Sequence, residues 1–294
     1  MPDGAISFPM LGDFYINPSK YFQIGSLKIH WYGVIIAVGF LLAVIYACKR
    51  ANEFGLSPDD ILDAVIYGLP TAIICGRIYY VVFYWDLYKD NPSEIIKVWH
   101  GGIAMYGVLI GAILTCIIFT RKRKISLLAF LDVVSLGFLI GQFIGRWGNF
   151  INREAYGYET EIFCRVGLTR NGVTTYVHPT FLYESLWNFV GFIIIHLYSK
   201  KHRRYDGQIF ACYIAWYGFG RMFIEGMRTD SLYLFNTGIR VSQLLAFVSF
   251  LVAGTILLLN RFKFKHDPAD MFVNRKLTEA SEGQIKPDDA GNEK

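Results

Sequence analysis

Arginines, amides and a carboxylate crowd the end of one apolar stretch in the run Gly145-Arg146-Trp147-Gly148-Asn149-Phe150-Ile151-Asn152-Arg153-Glu154. Ionisable groups at a membrane helix end are costly unless they meet a partner, an anionic ligand or water, so the run marks a functional site. Two further arginines, Arg77 and Arg221, stand inside apolar stretches. Tyr217, Arg221 and Glu225 recur at i, i+4 and i+8, which puts them on one helix face, with Arg228 three residues on. One reading is a buried Arg221–Glu225 ion pair that fixes helix packing. It leaves positive charge over at Arg77, Arg146 and Arg228, with Glu154 and Glu184 the nearest acids. Surplus guanidinium in a low-dielectric cavity predicts an anionic ligand. The planar fork suits phosphate and stays charged when desolvated, and a phospholipid headgroup is the anion at hand.

The elements that must position these groups are membrane helices. Of 294 residues, 53% are hydrophobic and only 18% charged, against about 25% charged in soluble domains. Seven apolar blocks, near the length that spans a bilayer core, cover about 29–48, 61–85, 103–119, 127–145, 180–198, 208–227 and 241–259. The fold expected is an all-α polytopic membrane protein of about seven transmembrane helices. No basic n-region precedes the first block, which is therefore expected to remain as a span rather than be cleaved. Lys49-Arg50, Arg121 to Lys124, Lys200 to Arg204 and Arg261 to Lys265 follow blocks one, three, five and seven. Those exits should be cytoplasmic, which places the N-terminus outside and the C-terminus inside. The net charge of +5 then reports topology and anionic-lipid anchoring, and no nucleic-acid partner is expected.

Depth along the blocks puts Arg77, Arg146 and Arg221 in the outer half of the bilayer, with His30, Tyr32, His100, Tyr106, His178, Tyr183 and Glu184 at the same level. Bland readings stand beside this one. Asn149 and Asn152 fit interhelical hydrogen bonds, lone histidines fit satisfied interfacial groups, and Trp31, Trp85 and Trp99 fit an aromatic belt. Gly107-x-x-x-Gly111 and Gly137-x-x-x-Gly141-x-x-x-Gly145 are small-residue packing patterns.

The organisation expected is one catalytic membrane domain over 1–265, with an external cap at about 146–179, and a flexible cytoplasmic tail over 266–294. Alternation at Thr174-Thr175-Tyr176-Val177 predicts a small β-ribbon in the cap. Of five cysteines, only Cys164 falls in an external loop, so no disulfide framework or zinc site is indicated and Cys164 is expected to be a free thiol.

On these residues the chain resembles the bacterial prolipoprotein diacylglyceryl transferases. The resemblance rests on Ile29-His30-Trp31-Tyr32-Gly33, on Gly76-Arg77 with Tyr80 and Phe83-Tyr84, and on Trp99 with Gly101-Gly102. It continues through the signature Gly145–Glu154 with Gly157, then His178-Pro179-Thr180 with Leu182-Tyr183-Glu184, then Tyr217-Gly218 through Arg221, Glu225 and Arg228. It implies transfer of the diacylglyceryl group of phosphatidylglycerol to the lipobox cysteine thiol of a preprolipoprotein signal peptide, in the bacterial plasma membrane. The products are a thioether and glycerol 1-phosphate; no cofactor or metal is implied. Carried over by position, Arg146 and Arg221 bind the headgroup, with Asn149, Glu154, Gly157, Tyr32, Arg77 and Arg228 in support. Glu225 orients Arg221. Many family members carry a histidine where this chain has Tyr106. A phenol with pKa near 10 is a weak base at neutral pH, so Tyr106 either positions substrate or relays the proton through its hydroxyl, and His100 and His178 stand as substitute bases.

A transporter or flippase for an anionic lipid or solute would use the same arginines. It needs polar residues continuing inward, where only Asp63, Asp132 and His196 stand. A seven-helix receptor explains the span count and leaves the arginines unexplained.

Overall fold

The computed structural model describes residues 1–12, 14–230, 233–234 and 237–284. In chain order the elements are β1 (Ile6–Ser7), β2 (Tyr15–Ile16), β3 (Tyr21–Ile24), β4 (Leu27–His30), α1 (Trp31–Arg50), α2 (Pro58–Phe83), α3 (Met105–Arg123) and α4 (Leu127–Asn152). There follow β5 (Val166–Arg170), β6 (Val173–Val177), α5 (Thr180–His202), α6 (Gln208–Met227), α7 (Val241–Phe262) and α8 (Phe272–Gln284). The chain divides into two compact units, one of residues 1–46 and 134–267, the other of 47–133 and the described residues from 268 on.

Each of the seven apolar blocks contains a helix. Among the described residues six are long and apolar enough to cross a membrane. The exception is α6, whose 20 residues include Gln208, Arg221 and Glu225. The signature run is helical as far as Asn152, so α4 exceeds its expected end at 145 and the connection to α5 begins at 153 rather than 146. The helix can continue because its late polar side chains find partners on other segments. The hairpin expected after it is present: β5 and β6 pair antiparallel about Asn171-Gly172, both at positive φ, as a tight hairpin turn requires.

Strands near the N-terminus were not expected. Ile6 of β1 pairs with Ile16 of β2 on one side and Leu168 of β5 on the other, giving a sheet ordered β2-β1-β5-β6. Ile6, Val166, Leu168 and Val177 form its core, with Phe150 at the end of α4 packed against it. Arg153 fastens this arrangement. From a positive φ of 57°, its guanidinium donates to Gly4 O, Asn17 Oδ1 and Pro18 O.

Within the same unit, α5 and α6 are clasped by two tryptophans. Trp187 and Trp216 stack at 4.3 Å, and each indole N–H donates at 3.0 Å to the other's main-chain oxygen. Gly191 lies under the Trp216 indole and Gly220 under that of Trp187, where any Cβ would overlap the ring. On the other face of α6, a Cβ at Gly218 would come within 2.7 Å of Ala246 O on α7.

In the second unit, α2 begins with a reciprocal cap: Asp60 N donates to Ser57 Oγ and Ser57 N to Asp60 Oδ2. α3 then lies against α2 through Gly107 and Gly111. A Cβ at Gly107 would stand 2.5 Å from Cys75 O, and one at Gly111 2.9 Å from Ala72 Cα. Where a flexible tail was expected, α8 forms and docks on Gly55, whose Cβ would meet Val273 Cα at 2.8 Å; Lys276 Nζ also donates to Gly55 O. The polar composition of 266–294 concealed the apolar pair Phe272-Val273 at the start of this helix. Residues 285–294 of that stretch lie outside the described residues.

The clasp makes Gly191→Ala and Gly220→Ala destabilising, although alanine is ordinarily the better helix former. Each should lower stability by about 1–3 kcal/mol through overpacking, read as an earlier thermal unfolding of the purified protein in detergent. Gly254→Ala on α7, where a Cβ meets nothing within 4 Å, serves as the neutral control.

Candidate functional site

Three helices of the first unit bring their charged residues to one point. Glu184, in the second turn of α5, is 3% exposed, and each carboxylate oxygen faces a different arginine. Arg146 of α4 donates Nη2 to Oε1, and Arg221 of α6 donates Nη1 to Oε2 at 3.0 Å. Arg221 turns its other terminal nitrogen to Glu225 one helical turn on, which is 2% exposed. Arg146 Nη1 also donates to Asn149 Oδ1 at 3.3 Å. Two guanidinium groups and two carboxylates thus form a nearly dry cluster. Removing one partner from such a cluster leaves an uncompensated buried charge, which is far more costly than breaking a surface pair.

The end of α4 extends the site. Asn149 Nδ2 donates at 2.9 Å, and Asn152 Nδ2 at 3.4 Å, to Glu154 Oε1. Gly157 pairs in antiparallel fashion with Arg228, and its N–H donates to His178 O at 3.0 Å. A Cβ there would reach within 2.8 Å of Met227 O, so only glycine lets the chain pass between α5 and the end of α6. Tyr32, in the first turn of α1, lays its ring over Gly148 of α4, where a Cβ would strike it at 2.8 Å.

Some expected residues are placed differently. The surplus of positive charge foreseen at Arg77, Arg146 and Arg228 is absent, because carbonyls and an acid remote in sequence meet Arg77 and Arg146, and a neighbouring acid meets Arg228. Arg228 makes a forked pair with Asp230, at 2.9 and 2.7 Å. Arg77 lies in the second unit and directs four of its five N–H donors to main-chain carbonyls of Glu94, Ile95, Gly101 and Gly102. Its guanidinium also lies over Tyr88 at 5.0 Å. Arg77 therefore clamps the connection from α2 to α3.

His100, on a short 3₁₀ turn of that connection, accepts or donates through Nδ1 to Glu94 Oε2 at 2.7 Å, and Lys97 donates to the other oxygen. Hydrogen bonds from Lys97 and then His100 hold the Glu94 carboxyl below its ordinary range. Tyr106, second in α3, is 46% exposed, with Tyr79 its ring neighbour at 6.4 Å. His178 Nδ1 lies 3.3 Å from Tyr183 OH, which also contacts the free thiol of Cys164 at 3.5 Å. Of the polar groups a transport path would need, Asp63 pairs with Arg123 and His196 with Tyr46.

Sequence reasoning did not count Glu184 as a site residue, although it is the only acid in its apolar block, and a lone buried carboxylate requires a cation. It also passed over Arg240, directly before α7 and 9% exposed. Arg240 donates to Glu225 O and Tyr158 OH and lies over the Tyr158 and Tyr233 rings.

Six apolar helices of spanning length among the described residues define a multi-pass membrane protein, and its first unit carries a buried arginine–carboxylate cluster. The family model described as prolipoprotein diacylglyceryl transferase matches residues 19–259, and the chain belongs to that family. Among its relatives, the protein named phosphatidylglycerol–prolipoprotein diacylglyceryl transferase of Listeria welshimeri is 47% identical over 82% of this chain and 89% of its own. Those bearing the same name in Limosilactobacillus reuteri and Lysinibacillus sphaericus are 45% and 42% identical, over 84% and 89% of this chain and 92% and 97% of their own.

Glu184→Ala should destabilise the protein by about 3–5 kcal/mol, leaving two buried guanidinium groups short of an acid. Asp86→Asn, at an exposed pair with Lys89, should hardly move the unfolding midpoint. The hydrogen bond from Arg228 holds the Asp230 carboxyl below its ordinary value. A depressed folded-state pKa means the pair stabilises above the ordinary carboxylate value, near 3.9, and that this is lost as pH falls from there through the lower folded-state pKa. Asp230→Asn should therefore cost well under 1 kcal/mol at pH 7, since Asp230 is half exposed, and progressively less as pH falls through the depressed folded-state pKa. Thermal unfolding across that range checks both signs.

Proposed function

We propose that this chain transfers the diacylglyceryl group of phosphatidylglycerol to the lipobox cysteine thiol of preprolipoproteins, the first step of bacterial lipoprotein maturation. The observation that carries the reading is the Arg146–Glu184–Arg221–Glu225 cluster, built from residues that carry the resemblance to the family to which the chain belongs. The protein acts in the plasma membrane with its N-terminus outside, and the cluster lies in the outer half of the bilayer. Basic residues after the first, third, fifth and seventh helices support that orientation.

In the reaction the cysteine sulfur forms a bond to the terminal glycerol carbon of the diacylglyceryl group as that carbon's bond to phosphate oxygen breaks. The electron pair leaves with glycerol 1-phosphate, and the thiol proton passes to a base. Charge grows on the departing phosphate, and guanidinium donors fixed before the reaction stabilise it without reorganising. Arg146 and Arg221 supply those donors. Glu184 and Glu225 hold the two forks in place, so the site is close to neutral before the lipid arrives and binds the phosphate through hydrogen bonds in a low dielectric. Asn149 and Glu154 shape the end of α4, Gly157 admits the close passage behind it, and Tyr32 closes the α1 side. Tyr106 acts in the proton transfer, with His100 and His178 as the other candidate acceptors.

The test is a transfer assay with purified protein, phosphatidylglycerol and a lipobox peptide, read by mass spectrometry. The peptide should gain one diacylglyceryl mass, and a Cys→Ser peptide should gain none. Arg146→Ala and Arg221→Ala should each reduce transfer at least a hundredfold in protein that still folds; full activity would remove them from the site. Tyr106→Phe should lose more activity than Tyr106→His. Near-normal rates for both would exclude Tyr106 from proton transfer.

A further inference from the structure

A second polar layer lies one helical turn from the arginine–carboxylate cluster. Gln142 stands four residues before Arg146 on α4, Asn188 four after Glu184 on α5, and Tyr217 four before Arg221 on α6. Both α4 and α6 run antiparallel to α5. Arg146 meets Glu184 where Ser185 Oγ donates to Phe143 O, and Arg221 meets Glu184 where Trp216 meets Trp187. The three steps therefore lead the same way into the bundle, by about 5–6 Å. Gln142 Nε2 donates to Tyr213 OH at 2.9 Å at this depth and joins α4 to α6.

Asn188 is fully buried, and neither its Oδ1 nor its Nδ2 has a hydrogen-bond partner among the described residues; the same holds for Gln142 Oε1. Buried carboxamides are nearly always paired, so an unpaired one a helical turn from the arginine–carboxylate cluster points to a group that pairs with it. We infer that Asn188 donates its side-chain N–H to an ester carbonyl oxygen of the bound lipid. This rests on the function proposed above.

The chemistry fixes the assignment. With its phosphate at Arg146 and Arg221 and its acyl chains among apolar side chains, the lipid must place its ester carbonyls between the two. The glycerol backbone separating phosphate from ester carbonyl is about one helical pitch long, roughly 5 Å. An ester carbonyl only accepts hydrogen bonds, which matches the amide donor. A cation at this depth would compete for the phosphate, whereas a neutral carboxamide discriminates for a neutral acceptor. Asn188 is thus a specificity residue for diacyl over dialkyl lipid.

The decisive experiment compares diester phosphatidylglycerol with its diether analogue, which lacks both carbonyls, as donors for a lipobox peptide. The wild-type protein should prefer the diester by about tenfold in kcat/KM, the value of one hydrogen bond whose loss leaves a buried donor unpaired. Asn188→Leu, with the same branching and heavy-atom count but no amide, and the smaller Asn188→Ala, which cannot overpack the site, should both fold and show no preference. Equal wild-type efficiency with both lipids, or a preference that survives in Asn188→Leu, would overturn the inference and leave the transferase reading intact. Transfer from neither lipid by the wild-type protein would overturn that reading and this inference with it.

Discussion

The carboxylate of Glu184 is the constraint on which the first unit depends. Both oxygens are occupied by arginines from two other helices, so one side chain sets the rotation and depth of α4, α5 and α6 together. In water such a group would gain little from its partners. At 3% exposure it cannot be left alone, because a carboxylate removed from solvent must be neutralised or paired. The cluster therefore acts as a registry device, and the proposed function makes it the phosphate site as well. Arg146 and Arg221 are held at the two oxygens of this one carboxylate.

Close backbone approach makes this meeting possible. Gly191 and Gly220 accept the two indoles that clasp α5 to α6, and Gly218 brings α6 against α7. Without such contacts, helices in lipid have little hydrophobic reason to associate, and packing of small residues supplies the attraction. The same principle governs α2 and α3 in the second unit at Gly107 and Gly111. Glycine at position 157 serves the site directly, since the chain there passes between His178 and the Met227 carbonyl with no room for a side chain.

The remaining arginines show that charge in an apolar context has several solutions. Arg77 is satisfied by carbonyls of a loop, Arg153 by the N-terminal segment and Arg228 by a neighbouring carboxylate. Arg240 is satisfied by a helix-end carbonyl, a phenol and two aromatic faces. A guanidinium with five donors and a flat face can be accommodated in each of these ways. Among the described residues only Arg146 and Arg221 share a buried acid, and that sharing sets them apart from the arginines that brace the fold.

The sequence by itself determined the class of the molecule and the location of its chemistry. Apolar blocks announce helices because hydropathy is a local property, and the decapeptide from Gly145 to Glu154 is specific enough to indicate a family. The i, i+4 spacing of Arg221 and Glu225 likewise made their ion pair legible, since helix geometry fixes that contact. Contacts between segments far apart in the chain were decided only by the tertiary structure. Nothing near Arg146 reveals that its acid lies 38 residues away on α5, or that Ile6 completes a sheet with Leu168. A two-residue strand carries no period of its own, and a carboxylate's partner is chosen by helix packing rather than by neighbours in sequence. For that reason the excess of positive charge read from the sequence became, in three dimensions, a nearly balanced cluster of two arginines and two carboxylates.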